Sequence, residues 1–245
     1  MARDTTGPDL FRQPPAHKEI IFSIPGTHPP PLSLPHVPSQ CRWPGSVSGG
    51  NAVPSGLNGF SIHGLWPTNN DTSGPSQCTH EAFDESQISS LLPEMNVEWA
   101  SIWPDSKGNE GFWAHEWTKH GTCAAELSVL GSQYKFFNGV LQLKAQLKVL
   151  DALQSAGIYP SNSKTYTLDQ IKSALTDAQM PPLVFCMPAN KADGAETSSP
   201  PILQAIELCV DTSLNVYTCN DAMQKAAASR GHCWSDAIGL PEIVH

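Results

Sequence analysis

The chain is poor in basic residues: across 245 positions, 14 Lys and Arg stand against 23 Asp and Glu, a formal net charge of −9. That balance argues against a protein that grips nucleic acid by broad phosphate neutralisation, though not against an enzyme that handles it briefly. No uninterrupted apolar run approaches the ~20 residues needed to cross a bilayer, so no membrane partner is expected. The seven cysteines (41, 78, 123, 186, 209, 219 and 233) contain no C-x-x-C pair, which removes the usual zinc-ribbon and thioredoxin readings. Charged residues make up only 15% of the chain and hydrophobic ones 40%, the composition of a globular protein and not of a disordered or coiled-coil one.

Wide, irregular cysteine spacing in a chain rich in Trp and Pro points to disulfides and an oxidising compartment, with at least one thiol left over from the odd count or paired with another chain. Asn70-Asp71-Thr72 is a glycosylation sequon, consistent with secretion. The amino terminus disagrees: Ala2-Arg3-Asp4-Thr5-Thr6-Gly7-Pro8 holds no hydrophobic stretch of the kind a secretory signal needs.

Composition divides the chain near residue 45. Ten of the 22 prolines fall in residues 1–45, forbidding helix and discouraging a central strand. This segment is expected to be extended or disordered, except for a short strand at Ile20-Ile21-Phe22-Ser23-Ile24. Residues 46–245 read as one α+β domain. A strand is expected over residues 57–64, a helix over 83–99 capped by Asp84, a short helix over 113–122 closed by Gly121, and a longer amphipathic helix over 134–156. Thr167-Leu168-Asp169-Gln170 has capping-box spacing and opens a helix through about Ala178. Strands are expected at residues 183–187, 202–210 and 215–219.

Two segments carry chemistry: Phe60-Ser61-Ile62-His63-Gly64-Leu65-Trp66-Pro67, and Phe112-Trp113-Ala114-His115-Glu116-Trp117-Thr118-Lys119-His120-Gly121-Thr122-Cys123. On a helix at about 100° per residue, with His115 at 0°, Lys119 falls at about 40°, Glu116 at about 100° and His120 at about 140°. Two imidazoles, a carboxylate and an ammonium then share one hemisphere, while Trp113 and Trp117 turn away to anchor the helix. A solvated polar face is the bland alternative, but two His, one Glu and one Lys packed between two Trp suit solubility poorly. A metalloprotease helix would place its histidines at i and i+4, whereas these stand at i and i+5 with a lysine beside them, so no metal is expected. The other tryptophans read as core, and His17, His28, His36, His80, His232 and His245 receive no role.

His-Gly-Leu-Trp-Pro followed by His-Glu-Trp-Thr-Lys-His-Gly-Thr-Cys resembles the two active-site signatures of the ribonuclease T2 family, and the text around them is similar to the plant S-like members. The resemblance implies a central, mainly antiparallel sheet packed against several helices and stabilised by disulfides. It implies endonucleolytic cleavage of single-stranded RNA through a 2′,3′-cyclic phosphate, with low base specificity, no metal or cofactor, a monomer, and a place in the secretory pathway. His120 would be the general base and His63 the general acid, His115 would hold the phosphate, and Lys119 and Glu116 would stabilise the transition state. Trp66 would position the site, and Phe112 would offer a face to a base. Cys78 would pair with Cys123, Cys186 with Cys233, and Cys209 with Cys219.

The family's first strand, ending in Gln-Trp-Pro, has no equivalent in residues 1–40, and Trp103 stands where Cys41 would find its usual partner. A non-catalytic relative serving as a binding or storage protein is therefore the alternative to an active enzyme.

Overall fold

Apolar residues crowd Ile202–Val210, and this strand becomes the centre of the sheet. A computed structural model of the protein describes residues 17–23 (by backbone), 53–68, 74–101, 108–187, 200–231, 233 and 235–242. Cys41, Asn70 and Trp103 lie outside the described residues, as does the rest of the segment 1–45.

The strands are β1 (His17–Ser23), β2 (Ser61–Thr68), β3 (Ser161–Tyr166), β4 (Leu183–Met187), β5 (Ile202–Val210), β6 (Val216–Tyr217) and β7 (Ile238–Leu240). The helices are α1 (Leu92–Glu98), α2 (Gly108–Glu116), α3 (Thr122–Ala124), α4 (Gln133–Leu147), α5 (Val149–Ser155), α6 (Leu168–Asp177) and α7 (Asp221–Gly231). The main path of the sheet runs β2-β1-β5-β7-β3, with β4 and β6 also paired to β5. Every pairing is antiparallel except β5 with β7, so the expected mainly antiparallel α+β architecture is what the chain adopts.

The expected short strand near Ile20 is β1, and it lies in the sheet interior. Ile20 stands opposite Leu65 of β2 on one side and Leu208 of β5 on the other. Residues 17–23 thus close the gap that a missing first strand would leave.

Because side chains alternate along a strand, β5 serves two cores. Ile206, Leu208 and Val210 join the larger one, with Trp99, Trp113, Trp117, Phe136 and Phe137. Ala205 and Cys209 join a smaller one with Leu183, Phe185 and Met223, against which Trp66 also packs.

Three local readings are corrected. The strand expected over 57–64 is β2, which begins at Ser61 and continues through the signature to Thr68 without turning at Gly64. Residues 83–99 form a 3₁₀ turn (Glu85–Leu91) capped by Asp84, then α1, whose Pro93 sits in the first turn where its missing N–H costs nothing. Residues 134–156 are not one helix: Lys148, at φ 44°, breaks them into α4 and α5. The capping box at Thr167 and Gln170 makes both of its bonds, and β4 and β5 have the expected bounds. The strand expected over 215–219 shortens to β6. β3, β7 and α7 were not anticipated. Asn220, whose side chain accepts from the Met223 N–H, followed by Ala226-Ala227-Ala228, was the readable signal for α7.

All three expected disulfides are present: Cys78–Cys123, Cys186–Cys233 and Cys209–Cys219. The first ties the loop after β2 to α3. A sequence separation of 45 sets its chain-entropy contribution at about 4 kcal/mol. Replacing Cys78 and Cys123 together by Ser should lower the unfolding free energy by about 3–4 kcal/mol in urea denaturation; a loss under about 1 kcal/mol would show that the loop is held by other contacts.

Candidate active site

Two elements build the site. β2 presents His63 and Trp66, both half-buried, and the α2 region presents Phe112, His115, Glu116, Lys119 and His120. The Trp66 indole contacts both His63 and His120. Its ring centroid is 5.0 Å from His63 in an edge arrangement and 5.0 Å from His120 in a stacked one. The imidazoles of His63 and His120 can therefore stand no farther apart than those two distances laid end to end. His115 lies 6.5 Å from His120, and Phe112 lies 6.0 Å from His63.

The helix does not continue regularly through the second signature. After Glu116 the chain widens into a π-turn, Trp117–Gly121, in which the Thr122 N–H reaches the Trp117 carbonyl. Such insertions collect at functional sites because they re-aim side chains. Here the wider turn lies between the two histidines, whose ring centroids stand 6.5 Å apart. Gly121 is required inside the turn: a Cβ there would run into the Trp117 indole.

Three indole N–H groups clamp this segment to β2. Trp113 donates to the Trp99 carbonyl at 2.8 Å, Trp99 donates to the His63 carbonyl at 3.0 Å, and Trp66 donates to Glu116 Oε2 at 3.0 Å. Trp99, Trp113 and Trp117 are fully buried, the anchoring role expected of Trp113 and Trp117. Gly64 makes the Trp66–Glu116 contact possible, since a Cβ at that position would overlap Glu116 Oε2 and come within 2.7 Å of Trp66 Nε1.

Burial sets the protonation states. Glu116 is 1% exposed, and loss of water pushes its carboxyl up to about 8, against the opposing pull of the Trp66 hydrogen bond and the Lys119 charge. Burial takes His120 down to about 3, helped by the charges of Lys119 and His115. The partly covered His115 is lowered by desolvation and then by Lys119. Lys119 itself is exposed, its charge free to meet an incoming anion.

His63, Trp66, Phe112, His115, Glu116, Lys119 and His120 are thus brought together; Asn70 lies outside the described residues. Among the described residues, no three His, Cys, Asp or Glu side chains are grouped so as to hold a metal ion. Sequence reasoning missed Gly64, Trp99 and the π-turn. The i, i+5 histidine spacing was the signal for the last. Gly64→Ala should push the Glu116 carboxyl off Trp66 and cost about 1–3 kcal/mol of stability, read by denaturation and by a change in Trp fluorescence; an unchanged protein would mean that Glu116 is not confined by β2.

The chain matches the Ribonuclease T2 family over residues 34–219. It is 37% identical to pig (Sus scrofa) Ribonuclease T2 over 181 residues, 73% of this chain and 85% of that one. It is 39% identical to Extracellular ribonuclease LE of Solanum lycopersicum over 156 residues, 63% of this chain and 64% of that one, under two thirds of the relative's length. Among solved structures, human RNase T2 superposes with a TM-score of 0.69 at 26% identity, covering 92% of this chain and 98% of that one. RNase NT in complex with 5′-AMP gives a TM-score of 0.70 at 25% identity, covering 94% and 99%. With the signatures, the disulfides and the sheet all in agreement, the chain belongs to the Ribonuclease T2 family of endoribonucleases.

Proposed function

We propose that the protein cleaves single-stranded RNA by transphosphorylation, with His120 as general base and His63 as general acid. The observation that carries this reading is the placement of both imidazoles against one indole, that of Trp66. In the reaction the ribose 2′-OH attacks phosphorus while its proton passes to His120. The bond from phosphorus to the 5′ oxygen then breaks, and His63 supplies that oxygen with a proton. The products are a 2′,3′-cyclic phosphate and a free 5′-OH.

The protonation states suit these roles. A base must start neutral, and burial keeps His120 so across neutral and mildly acidic pH. Lys119 brings positive charge to the phosphate oxygens, where negative charge develops in the transition state, and His115 meets them as an N–H donor. Glu116, held protonated by burial, adds no negative charge to repel the phosphate. Phe112 and Trp66 offer aromatic faces, and stacking accepts any base, which supports weak base preference. Three disulfides suit an oxidising compartment such as the secretory pathway, and a monomer suffices for the chemistry because one chain supplies every proposed catalytic group. The non-catalytic alternative drew its support from the unusual first 40 residues, and the place of β1 between β2 and β5 removes much of it.

The test is cleavage of RNA beside a His120→Ala control. Wild-type protein should cut RNA equally with and without a chelator, leave DNA uncut for want of the 2′-OH, and lose about 10²–10⁴-fold in kcat on the substitution. A chelator-sensitive activity, or equal activity in the variant, would refute the assignment.

Stability should also follow pH with two opposed slopes. His120, lowered in the folded state, makes stability rise with pH between about 3 and 6.5, where the unfolded chain binds the extra proton. Glu116, raised in the folded state, makes stability fall between about 4.5 and 8, where the folded chain binds it. Glu116→Gln should therefore flatten the decline above pH 6.5 in denaturant titrations. Parallel curves for the two proteins would mean that Glu116 is ionised when folded.

A further inference from the structure

Two cavities open along one face of the catalytic helix. The first, of about 550 Å³, is lined by His115, Lys119 and Phe112 of the proposed active site together with Gly111, Ala114, Thr118 and Gln77. The second, of about 510 Å³, shares Gln77, Ala114 and Thr118 and continues to His80, Glu81 and Glu110. Gly111, Ala114 and Thr118 follow one another at intervals of three and four residues, so small side chains floor a continuous trough on one helix face.

Gln77 stands where the two cavities meet, and its backbone is held at φ 54°. A left-handed conformation in a residue other than glycine costs about 1–2 kcal/mol and persists only where the surroundings impose it. Three links impose it here. The Gln77 N–H donates to the Lys119 carbonyl at 3.0 Å, the Cys78 N–H donates to Thr122 Oγ1 at 3.2 Å, and the Cys78–Cys123 disulfide locks the neighbouring residue. The strained residue is thus bound to the π-turn that carries His120, with its amide beside the trough.

We propose that the far end of this trough, the cavity lined by Gln77, His80, Glu81 and Glu110, is a further subsite, taking the base of a nucleotide beyond the two that flank the scissile bond. The inference rests on the nuclease reading above. The chemistry of the far end selects a base and not a phosphate, because the carboxylates of Glu81 and Glu110 would repel an anion. Carboxylates and a glutamine amide instead accept from exocyclic amino groups, and imidazole offers a stacking face. Cytosine is therefore favoured there over uracil, which presents a carbonyl in place of the amine.

The test uses oligonucleotides carrying a single ribose, so that only one bond can be cut, with the outer positions either all cytosine or all uracil. Wild-type protein should show kcat/KM about tenfold higher on the cytosine hexanucleotide than on the dinucleotide made of the same scissile pair, with much less gain for the uracil version. Gln77→Gly removes the side chain without disturbing the left-handed backbone. In that variant and in His80→Ala, the ratio of hexanucleotide to dinucleotide kcat/KM should fall to about two- to threefold. Equal kcat/KM of wild-type protein on the short and long substrates would overturn the subsite, as would a ratio kept in both variants. Failure to cut any of the substrates would overturn the nuclease reading itself.

Discussion

The close approach of a strand and a helix at Gly64 is the constraint on which the rest depends. Only a residue without a Cβ lets the Glu116 carboxyl press against β2 and accept the Trp66 N–H. That bond fixes the Trp66 indole, and both His63 and His120 pack against that indole. Two further indole bonds, from Trp113 to Trp99 and from Trp99 to the His63 carbonyl, run through the larger core and hold the same two elements in register. The tryptophans are therefore structural and functional at once: their rings fill the core, and their N–H groups set the geometry of the site.

The same burial that packs the site also tunes it. Taking Glu116 and His120 out of water shifts one up and the other down, and both then stand neutral near pH 7. His115 and Lys119 are exposed, as the proposed role of each toward the phosphate requires. In the proposed mechanism the exposed Lys119 supplies local positive charge to a phosphodiester even though the whole chain carries a net charge of −9.

Much of this was legible in the sequence because the two signatures name the residue types directly. The capping box at Thr167 was readable because it rests on local spacing, and the disulfide pairing because the family resemblance implied it. What escaped were features set by tertiary contact. The strand was expected to end at Gly64, yet the glycine serves the opposing carboxylate and β2 runs on to Thr68. The second signature was read as a regular helix, while Gly121 packed under Trp117 accompanies a π-turn that propensity does not encode. Lys148 breaks a helix whose apolar pattern continues across it. The short strand near Ile20 was expected, but its place between two strand neighbours in the sheet interior was not.

The central claim, that His63 and His120 divide acid and base work across Trp66, is tested most directly by changing the leaving group. On a uridine 3′-phosphodiester that releases p-nitrophenolate, departure needs no protonation. His63→Ala should then turn over at close to the wild-type rate while His120→Ala stays about 10²–10⁴-fold slower. Equal loss in both variants, or rescue of the His120 variant instead, would contradict the account.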